Sequence, residues 1–378
     1  MINEINVGIV GAGFMGKAHT YGYRTIPLYY DNLPFKIRLV GICDALIDVA
    51  RKAKDTLGFE FATDRPGDIF SRDDINVVDV CTPNVFHKDA VVAAIKAGKN
   101  VYCDKPLATT YADAKEIVSL LAKHKVVAQM ALQYRFFPAT LRAKQILTEG
   151  RIGRILSFRA CYLHSGSVDP KRPMGWKQDK SIGGGGVLFD LGAHALDLMY
   201  CLLGEYESVF AQTGIAYPER PDKAGRLVKV EADDVAYVLV RMKSGCTGAI
   251  EVSKLATGAN DELRFEIHGD KGSLRFNSMD ENWLEFYDNT AQDAPIGGVK
   301  GYTKIECVHR YEKPGGGFPG PKFPTGWLRA HVHSHYCFLS CVHAGKPASP
   351  SLEDGAYIQH VMEQAYASDA TGKRLQIA

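Results

Sequence analysis

No stretch of this chain approaches the roughly 18 consecutive apolar residues that cross a bilayer, so no membrane span is expected. The opening MINEI runs straight into the strand-like NVGIVGAG. It lacks the basic start, longer apolar stretch and cleavage site of a secretory leader, and the expected location is the cytoplasm. Nine cysteines, an odd number, are scattered without one CxxC pair, which argues against a disulfide framework and for a reducing compartment. Charge is equally unspecialised: 45 basic against 43 acidic residues leave a net +2, intermixed along the chain. No basic block suggests a nucleic-acid or membrane surface, and no acidic tail suggests disorder. Internal repeats and low-complexity tracts are missing too. What is present is 378 residues, 46% of them hydrophobic, enough for a substantial core and, at about 100–200 residues per domain, for two domains.

The first third alternates short apolar runs with helical stretches. INVGIVGAG (5–13), KIRLVGICD (36–44), NVVDVCTP (76–83), NVYCDKP (100–106) and KVVAQMALQ (125–133) read as strands, with helices at 87–98 and 109–124 among them. This spacing predicts a parallel sheet covered on both faces, in a domain spanning 1–128. Beyond about residue 135 the rhythm changes, and 129–378 reads as a second domain. A helix is predicted over 137–150, a strand over 154–164 and a helix over 186–203, then strands at 234–242, 246–255, 263–268, 273–277 and 283–287. The turns KSGC and HGDKG join the later strands as a meander, hence a mostly antiparallel sheet. A Gly/Pro-rich loop at 313–326 reads as a flexible connection, with a lid as the alternative, and helices at 327–344 and 353–371 close the chain.

GIVGAGFMG carries Gly-x-Gly-x-x-Gly at Gly11, Gly13 and Gly16, after a strand and before a helix. Gly11 makes the tight turn, a side chain at 13 would block a pyrophosphate, and Gly16 lets helix and strand pack closely. Phe14 and Met15 complete this loop, whose helix N-terminus offers N–H donors and a favourable dipole to phosphate. The second strand ends in Asp44, spaced further from the glycines than usual by the insertion 21–36. A carboxylate there accepts hydrogen bonds from the adenosine ribose and repels a 2′-phosphate; with no Arg or Lys immediately after it, the cofactor is NAD rather than NADP. Two later strand ends carry Thr82, Pro83, Asn84 and His87, and Asp104 and Lys105, at the edge where a doubly wound sheet binds its ligand. An ordinary turn and cap is the alternative for Asn84 and His87. Gln133, Tyr134 and Arg135 follow the fifth strand within reach of nicotinamide or sugar.

SIGGGGVLFDLGAH (181–194) is a second glycine-rich segment, but it lacks the GK[ST] ending of a phosphate loop. Its glycines are expected to let the chain pass close to substrate before a helix that carries Asp190 and His194, i and i+4, on one face. HVHSHYC (331–337) invites a metal reading, but on a helix His331 and His335 share a face while His333 points elsewhere, and no recognisable ligand spacing completes a set. No metal is expected.

In this order, GIVGAGFMG, CTPNVFH, DKP and GGGVLFDLGAH resemble the glucose–fructose oxidoreductase/inositol dehydrogenase (Gfo/Idh/MocA) family over nearly the whole chain. Within it, SFRACYLHSGSVDPKRPMGWKQ is most similar to members that oxidise sugars or glycosides, of the levoglucosan and glycoside 3-dehydrogenase type. The resemblance implies an α/β fold class: an N-terminal Rossmann domain, then an α/β domain with a large, mostly antiparallel open sheet whose face joins homodimers or homotetramers. It implies that Lys105 matches the lysine of the family's Glu-Lys-Pro motif, binding substrate and cofactor, and that Asp190 and His194 match its catalytic Asp-x-x-x-His. Asp104 stands where glutamate is usual, one methylene shorter.

These residue types suit alcohol oxidation. His194 takes the hydroxyl proton as general base, Lys105 stabilises developing alkoxide, and Asp190 orients the imidazole or binds a neighbouring hydroxyl. Arg135, His164 and Trp176 are further substrate contacts, the tryptophan by stacking on a sugar face. The expected function is hydride transfer between NAD and a secondary alcohol of a sugar, glycoside or cyclic polyol. Two alternatives stand beside it: elimination at a glycosidic bond assisted by NAD without net redox change, and a non-catalytic NAD-sensing regulator.

Overall fold

Six short, mostly apolar runs make the first sheet of the computed structural model, which describes residues 1–308, 311–315, 318 and 326–377. They are β1 (Glu4–Val10), β2 (Lys36–Cys43), β3 (Phe61–Thr63), β4 (Val77–Val80), β5 (Asn100–Asp104) and β6 (Ala128–Ala131). All pairs are parallel, in the order β3-β2-β1-β4-β5-β6. Helices cover both faces, which is why β4 is buried along its whole length and reads as a continuous run rather than an alternation. Strand order reverses between β1 and β4, opening the crevice at their carboxyl ends where such sheets bind ligands. The edge strand β3, three residues long, is too short to show as a periodicity.

The chain divides into two compact units, and not at a single boundary after residue 128. The first comprises Met1–Gln133, Glu312–Gly320 and Gly326–Gln359; the second comprises Tyr134–Tyr311, Pro321–Thr325 and His360–Ala378. The helix Trp327–Ala344 returns to the first unit because Val332, Phe338, Leu339 and Val342 complete the core formed by Ile5, Val7, Ile9, Tyr23 and Ile26. In the loop expected at 313–326, residues 316, 317 and 319–325 lie outside the described residues.

In the second unit, β7 (Ile155–Leu163), β8 (Tyr206–Gly214), the short pair β9 (Glu219–Pro221) and β10 (Leu227–Lys229), β11 (Val235–Met242), β12 (Thr247–Ser253), β13 (Glu262–Gly269), β14 (Gly272–Asn277), β15 (Trp283–Asp288), β16 (Tyr302–Glu306) and β17 (Leu375–Gln376) follow. Apart from β9 and β10 they form one nine-stranded sheet, β16-β15-β14-β13-β7-β12-β11-β8-β17. It is antiparallel throughout except for the β7–β12 pair. Along β11 burial alternates: Ala236, Val238, Val240 and Met242 face the core, while Tyr237 and Leu239 are each 51% exposed. Phe210, opposite Leu239 on β8, is also exposed, so this sheet has one packed and one open face.

The stretch Lys180–Leu203 is long and apolar enough by composition to cross a membrane, which no uninterrupted run in the sequence announces; 78% of its most apolar window is buried, as for a core helix.

One buried charge draws groups from several parts of the first unit to itself. Asp79 sits inside β4, fully buried, with His19 Nδ1 at 3.0 and 3.1 Å from its two oxygens. The Tyr23 hydroxyl donates to it at 3.0 Å and the Cys81 thiol at 3.2 Å. Burial alone would push the Asp79 carboxyl up, but the charge and hydrogen bond of His19, with help from His335, hold it well below the usual carboxylate range. For His19, burial favours the neutral ring, yet the Asp79 charge outweighs it and raises the imidazole above its ordinary value. The depressed Asp79 contributes stability that is present above the unfolded carboxylate pKa and lost as pH falls through the folded one; the raised His19 contributes below its unfolded pKa and loses it as pH rises through the folded one. Asp79→Asn leaves His19 without its counter-charge and is expected to destabilise the protein by about 3–5 kcal/mol. The measurement is denaturant unfolding at neutral pH; an unchanged midpoint would mean the pair does not carry the fold.

Candidate active site

The fingerprint loop is built as its sequence requires. Gly11 has φ +108°, and a Cβ there would sit 2.5 Å from the Cys81 carbonyl oxygen, so the turn passes too close to β4 for any side chain. At Gly16 a Cβ would meet the Gly11 oxygen, while at Gly13 a Cβ would meet nothing within 4 Å. That open space lies beside the first turn of the helix Phe14–Tyr29, whose early N–H groups have no intrahelical acceptor. Phe14 is 75% exposed there. Asp44, at the end of β2, accepts from the Ala12 N–H at 3.1 Å and the Leu46 N–H at 3.0 Å, which fixes its carboxylate over the loop.

At the end of β4, the Thr82 hydroxyl oxygen is buried with no hydrogen-bond partner among the described residues, as suits a group kept for a ligand. Asn84 begins a short 3-10 turn and is nearly buried. Open space at Gly13, a polar atom awaiting a partner at Thr82 and a held carboxylate at Asp44 together fit a dinucleotide without a 2′-phosphate. His87 departs from expectation. Its ring is fully buried, with Nδ1 2.7 Å from the Pro106 carbonyl and Nε2 2.8 Å from the Thr82 carbonyl. It braces two ligand-facing loops from behind rather than facing a cofactor. Asp104 accepts from the Lys105 N–H at 2.9 Å, and Lys105 is half-buried just past β5. Gln133 is 3% exposed at the start of a 3-10 turn.

In the second unit the glycine-rich segment passes close to another part of the protein. Gly184 adopts φ +79°, and a Cβ on Gly186 would lie 2.2 Å from the Asp233 backbone nitrogen and oxygen. The chain thereby comes close enough for the Asp233 carboxylate to accept the Gly186 N–H at 2.9 Å and the Leu188 N–H at 3.0 Å. The Tyr366 hydroxyl donates to the same carboxylate at 2.5 Å. Asp233 thus caps, from 45 residues away, the helix that follows.

That helix starts as a π turn, Leu188–Gly192, before continuing as the α-helix Ala193–Leu203. The i, i+4 spacing of Asp190 and His194 gave no sign of a wider first turn, and such turns concentrate at functional sites. Asp190 lies in it. Both its oxygens meet ammonium groups: Lys177 Nζ at 2.7 Å from Oδ1 and Lys254 Nζ at 2.9 Å from Oδ2. His194 is 6% exposed and packs edge-on against Tyr134, centroids 5.2 Å apart, and against Tyr162 at 5.9 Å. The tyrosines are themselves fixed. Their hydroxyls lie 2.8 Å apart, and both donate to Asp261, at 3.2 Å from Tyr134 and 2.5 Å from Tyr162. His164 Nε2 lies 2.8 Å from the same carboxylate. Burial opposes charge on Asp261, yet the hydrogen bonds from His164 and Tyr162 keep its carboxyl below the ordinary value, and burial pushes the Tyr162 phenol well up.

Trp176 is 38% exposed on the 3-10 turn Trp176–Gln178, which also carries Lys177. Arg135 is corrected: its guanidinium forms a two-point pair with the buried Asp197, Nε to Oδ2 at 2.8 Å and a terminal nitrogen to Oδ1 at 2.5 Å. It clamps the turn after β6 to the helix Ala193–Leu203 and is occupied in doing so. Lys254, Asp233 and Asp261 escaped the sequence reading; each lies next to a strand end with no recognisable motif around it.

The HVHSHYC tract disperses. His335 turns toward Asp79, with Nε2 3.8 Å from Oδ2, while His333 Nδ1 lies 2.6 Å from the Tyr30 hydroxyl. The donor atoms of His19, Asp79 and Cys81 do lie within 4.8 Å of one another. Hydrogen bonds to Asp79 already account for that closeness.

Comparison with known proteins agrees with this arrangement. Residues 5–132 match the oxidoreductase family with the NAD-binding Rossmann fold, and residues 140–275 match the GFO/IDH/MocA C-terminal domain. The chain is 34% identical over 370 residues to a levoglucosan dehydrogenase of Pseudarthrobacter phenanthrenivorans, covering 94% of this chain and 93% of that protein. It is 29% identical over 285 residues to a myo-inositol 2-dehydrogenase of Thermotoga maritima, covering 75% and 78%. A solved levoglucosan dehydrogenase in complex with NADH and levoglucosan superimposes with TM-score 0.95 at 32% identity, covering 99% of each chain. A Gly-x-Gly-x-x-Gly loop backed by Asp44, a nine-stranded second sheet and matches across both halves leave one assignment: the chain belongs to the Gfo/Idh/MocA family of NAD-binding oxidoreductases.

Proposed function

We propose that this protein oxidises a secondary alcohol of a sugar, glycoside or cyclic polyol and passes the hydride to NAD. The observation that carries the reading is the setting of His194, buried between two tyrosine rings on a helix capped by Asp233 and led by the doubly paired Asp190. The levoglucosan and inositol dehydrogenases among its relatives support the same substrate class. NAD, when bound, supplies the hydride acceptor; Gly11, Gly13, Gly16, Asp44 and Thr82 are the residues that would hold it.

In the proposed reaction a ring nitrogen of His194 takes the proton of the reacting hydroxyl. The Lys105 ammonium donates a hydrogen bond to the same oxygen and stabilises its developing negative charge. Asp190, paired with two lysines, accepts from a neighbouring hydroxyl. Trp176 offers an exposed face for stacking on the sugar, and His164, tied to Asp261, offers a further polar contact. Arg135, held by Asp197, is left out of the proposed reaction. The open face of the nine-stranded sheet, with Phe210, Tyr237 and Leu239 exposed, is proposed to join copies of the chain into a homodimer or homotetramer.

A screen of inositols, free sugars and glycosides at fixed NAD, followed by NADH absorbance, tests the reaction class. Steady NADH formation with one of them is expected; a modified sugar without NADH would point instead to elimination assisted by NAD. On the substrate so found, Lys105→Ala and His194→Ala are each expected to lower kcat by about 10²–10⁴-fold with NAD affinity near wild type. Near-normal turnover in either variant would remove that residue from the chemistry. Replacing both Tyr237 and Leu239 by lysine is expected to reduce the mass measured by light scattering to that of one chain; an unchanged mass would place the interface elsewhere.

A further inference from the structure

Asp190 has two lysine partners that differ in kind. Lys254 and Asp190 are both largely withdrawn from water, with side chains 14% and 12% exposed, whereas Lys177 is 48% exposed. An ion pair away from solvent is screened little, while an exposed one is weak and exchanges readily with water and ligand. Their backbones differ in the same sense. Lys254 directly follows β12, and its N–H donates to the Asp234 carbonyl at 2.9 Å. The preceding Ser253 pairs in register with Val235 on one side and Leu163 on the other, its carbonyl accepts the His164 N–H at 2.7 Å, and its hydroxyl accepts the Leu255 N–H at 3.0 Å. The lysine stem therefore rises from a sheet held on both edges. Lys177 stands on a three-residue turn, and its ammonium is 5.7 Å from the centre of the exposed Trp176 ring, a second favourable resting place for a cation.

We propose that Lys254 is a positioning residue, the fixed counter-ion that keeps Asp190 aimed, and that Lys177 is an exchangeable cation whose place on Oδ1 is taken by a substrate hydroxyl. The inference rests on the reading of Asp190 as part of the sugar site. It deepens that reading by dividing the carboxylate into two halves. Oδ2 stays with Lys254 throughout. Oδ1 passes from Lys177 to a hydroxyl adjacent to the reacting carbon, so the substrate is a polyol with at least one neighbouring free hydroxyl rather than an isolated alcohol. Lys177, once released, lies over Trp176, beside the face on which the sugar stacks.

Four variants test it on a sugar or polyol that the wild type oxidises. Lys254→Met is expected to lower kcat by about 10²-fold through misplacement of Asp190, while NAD affinity and the thermal midpoint stay close to wild type. Lys254→Arg, which keeps the charge, is expected to recover most of that loss. Lys177→Met is expected to leave kcat near wild type and to change KM for the sugar, and removal of the neighbouring hydroxyl from the substrate is expected to abolish that change in KM. Asp190→Asn separates the two levels. If it is crippled while Lys254→Met turns over normally, or if arginine at 254 is no better than methionine, the role of Lys254 is wrong and the site reading stands. If Asp190→Asn turns over normally, the site reading itself fails. Equal losses of kcat in Lys177→Met and Lys254→Met would overturn the division between fixed and exchangeable cation.

Discussion

A carboxylate inside a parallel sheet covered on both faces cannot reach water, so whatever surrounds it must meet its charge. Asp79 imposes that constraint on the first unit. Its partners come from separate parts of the chain: His19 and Tyr23 from the helix that begins at the fingerprint loop, Cys81 from the strand end beside it, and His335 from a helix more than 250 residues later in sequence. The first of these attachments sets where the helix Phe14–Tyr29 lies, and its N-terminus is where a pyrophosphate would be held. The last ties the late helix Trp327–Ala344, packed there by its apolar face, to the same carboxylate. A buried pair of this kind adds little to stability compared with a well-packed apolar core, but losing one partner is costly, so its value lies in permitting one arrangement.

The second unit uses the same device three times. Asp233 accepts two backbone N–H groups and a tyrosine hydroxyl, and so holds the start of the helix that carries Asp190 and His194. Asp261 gathers Tyr134, Tyr162 and His164, and through the tyrosine rings it frames His194. Asp197 pins Arg135. Each carboxylate is a multi-acceptor point that fixes neighbouring donors in direction, which apolar packing alone does not provide. Asp190 differs from these three in that one of its partners, Lys177, is an exposed cation.

Much of the molecule was legible beforehand because it depends on local rules. The parallel strands β1, β2, β4, β5 and β6 announce themselves as apolar runs, and the meander of the second sheet as alternations joined by turns. Gly11 and Gly16 are dictated by contacts within a dozen residues or at the adjacent strand. The i, i+4 pair Asp190 and His194 was visible, though its π turn was not. Other residues were misread for one reason: a side chain's partner decides its role. His87 and Arg135 carry the right chemistry for a ligand, but the first is consumed by two carbonyls and the second by Asp197. The glycine-rich segment was expected to pass close to substrate; at Gly185 and Gly186 the close groups within the protein are Tyr366 and Asp233.

The sequence by itself determined the fold class and the dinucleotide loop, and it offered Asp44, Lys105, Asp190 and His194 as candidates for cofactor binding and chemistry. These follow from spacing along the chain, because turns, helix faces and strand alternation are properties of neighbours. Tertiary structure alone decided which polar groups are spent on the fold and which are left for a ligand. That choice depends on pairs such as His19 with Asp79, Gly186 with Asp233 and Asp190 with Lys254, tens of residues apart, whose meeting is set by the packing of whole elements. A buried charge takes whatever partner the packing delivers, and no local pattern records which one that is.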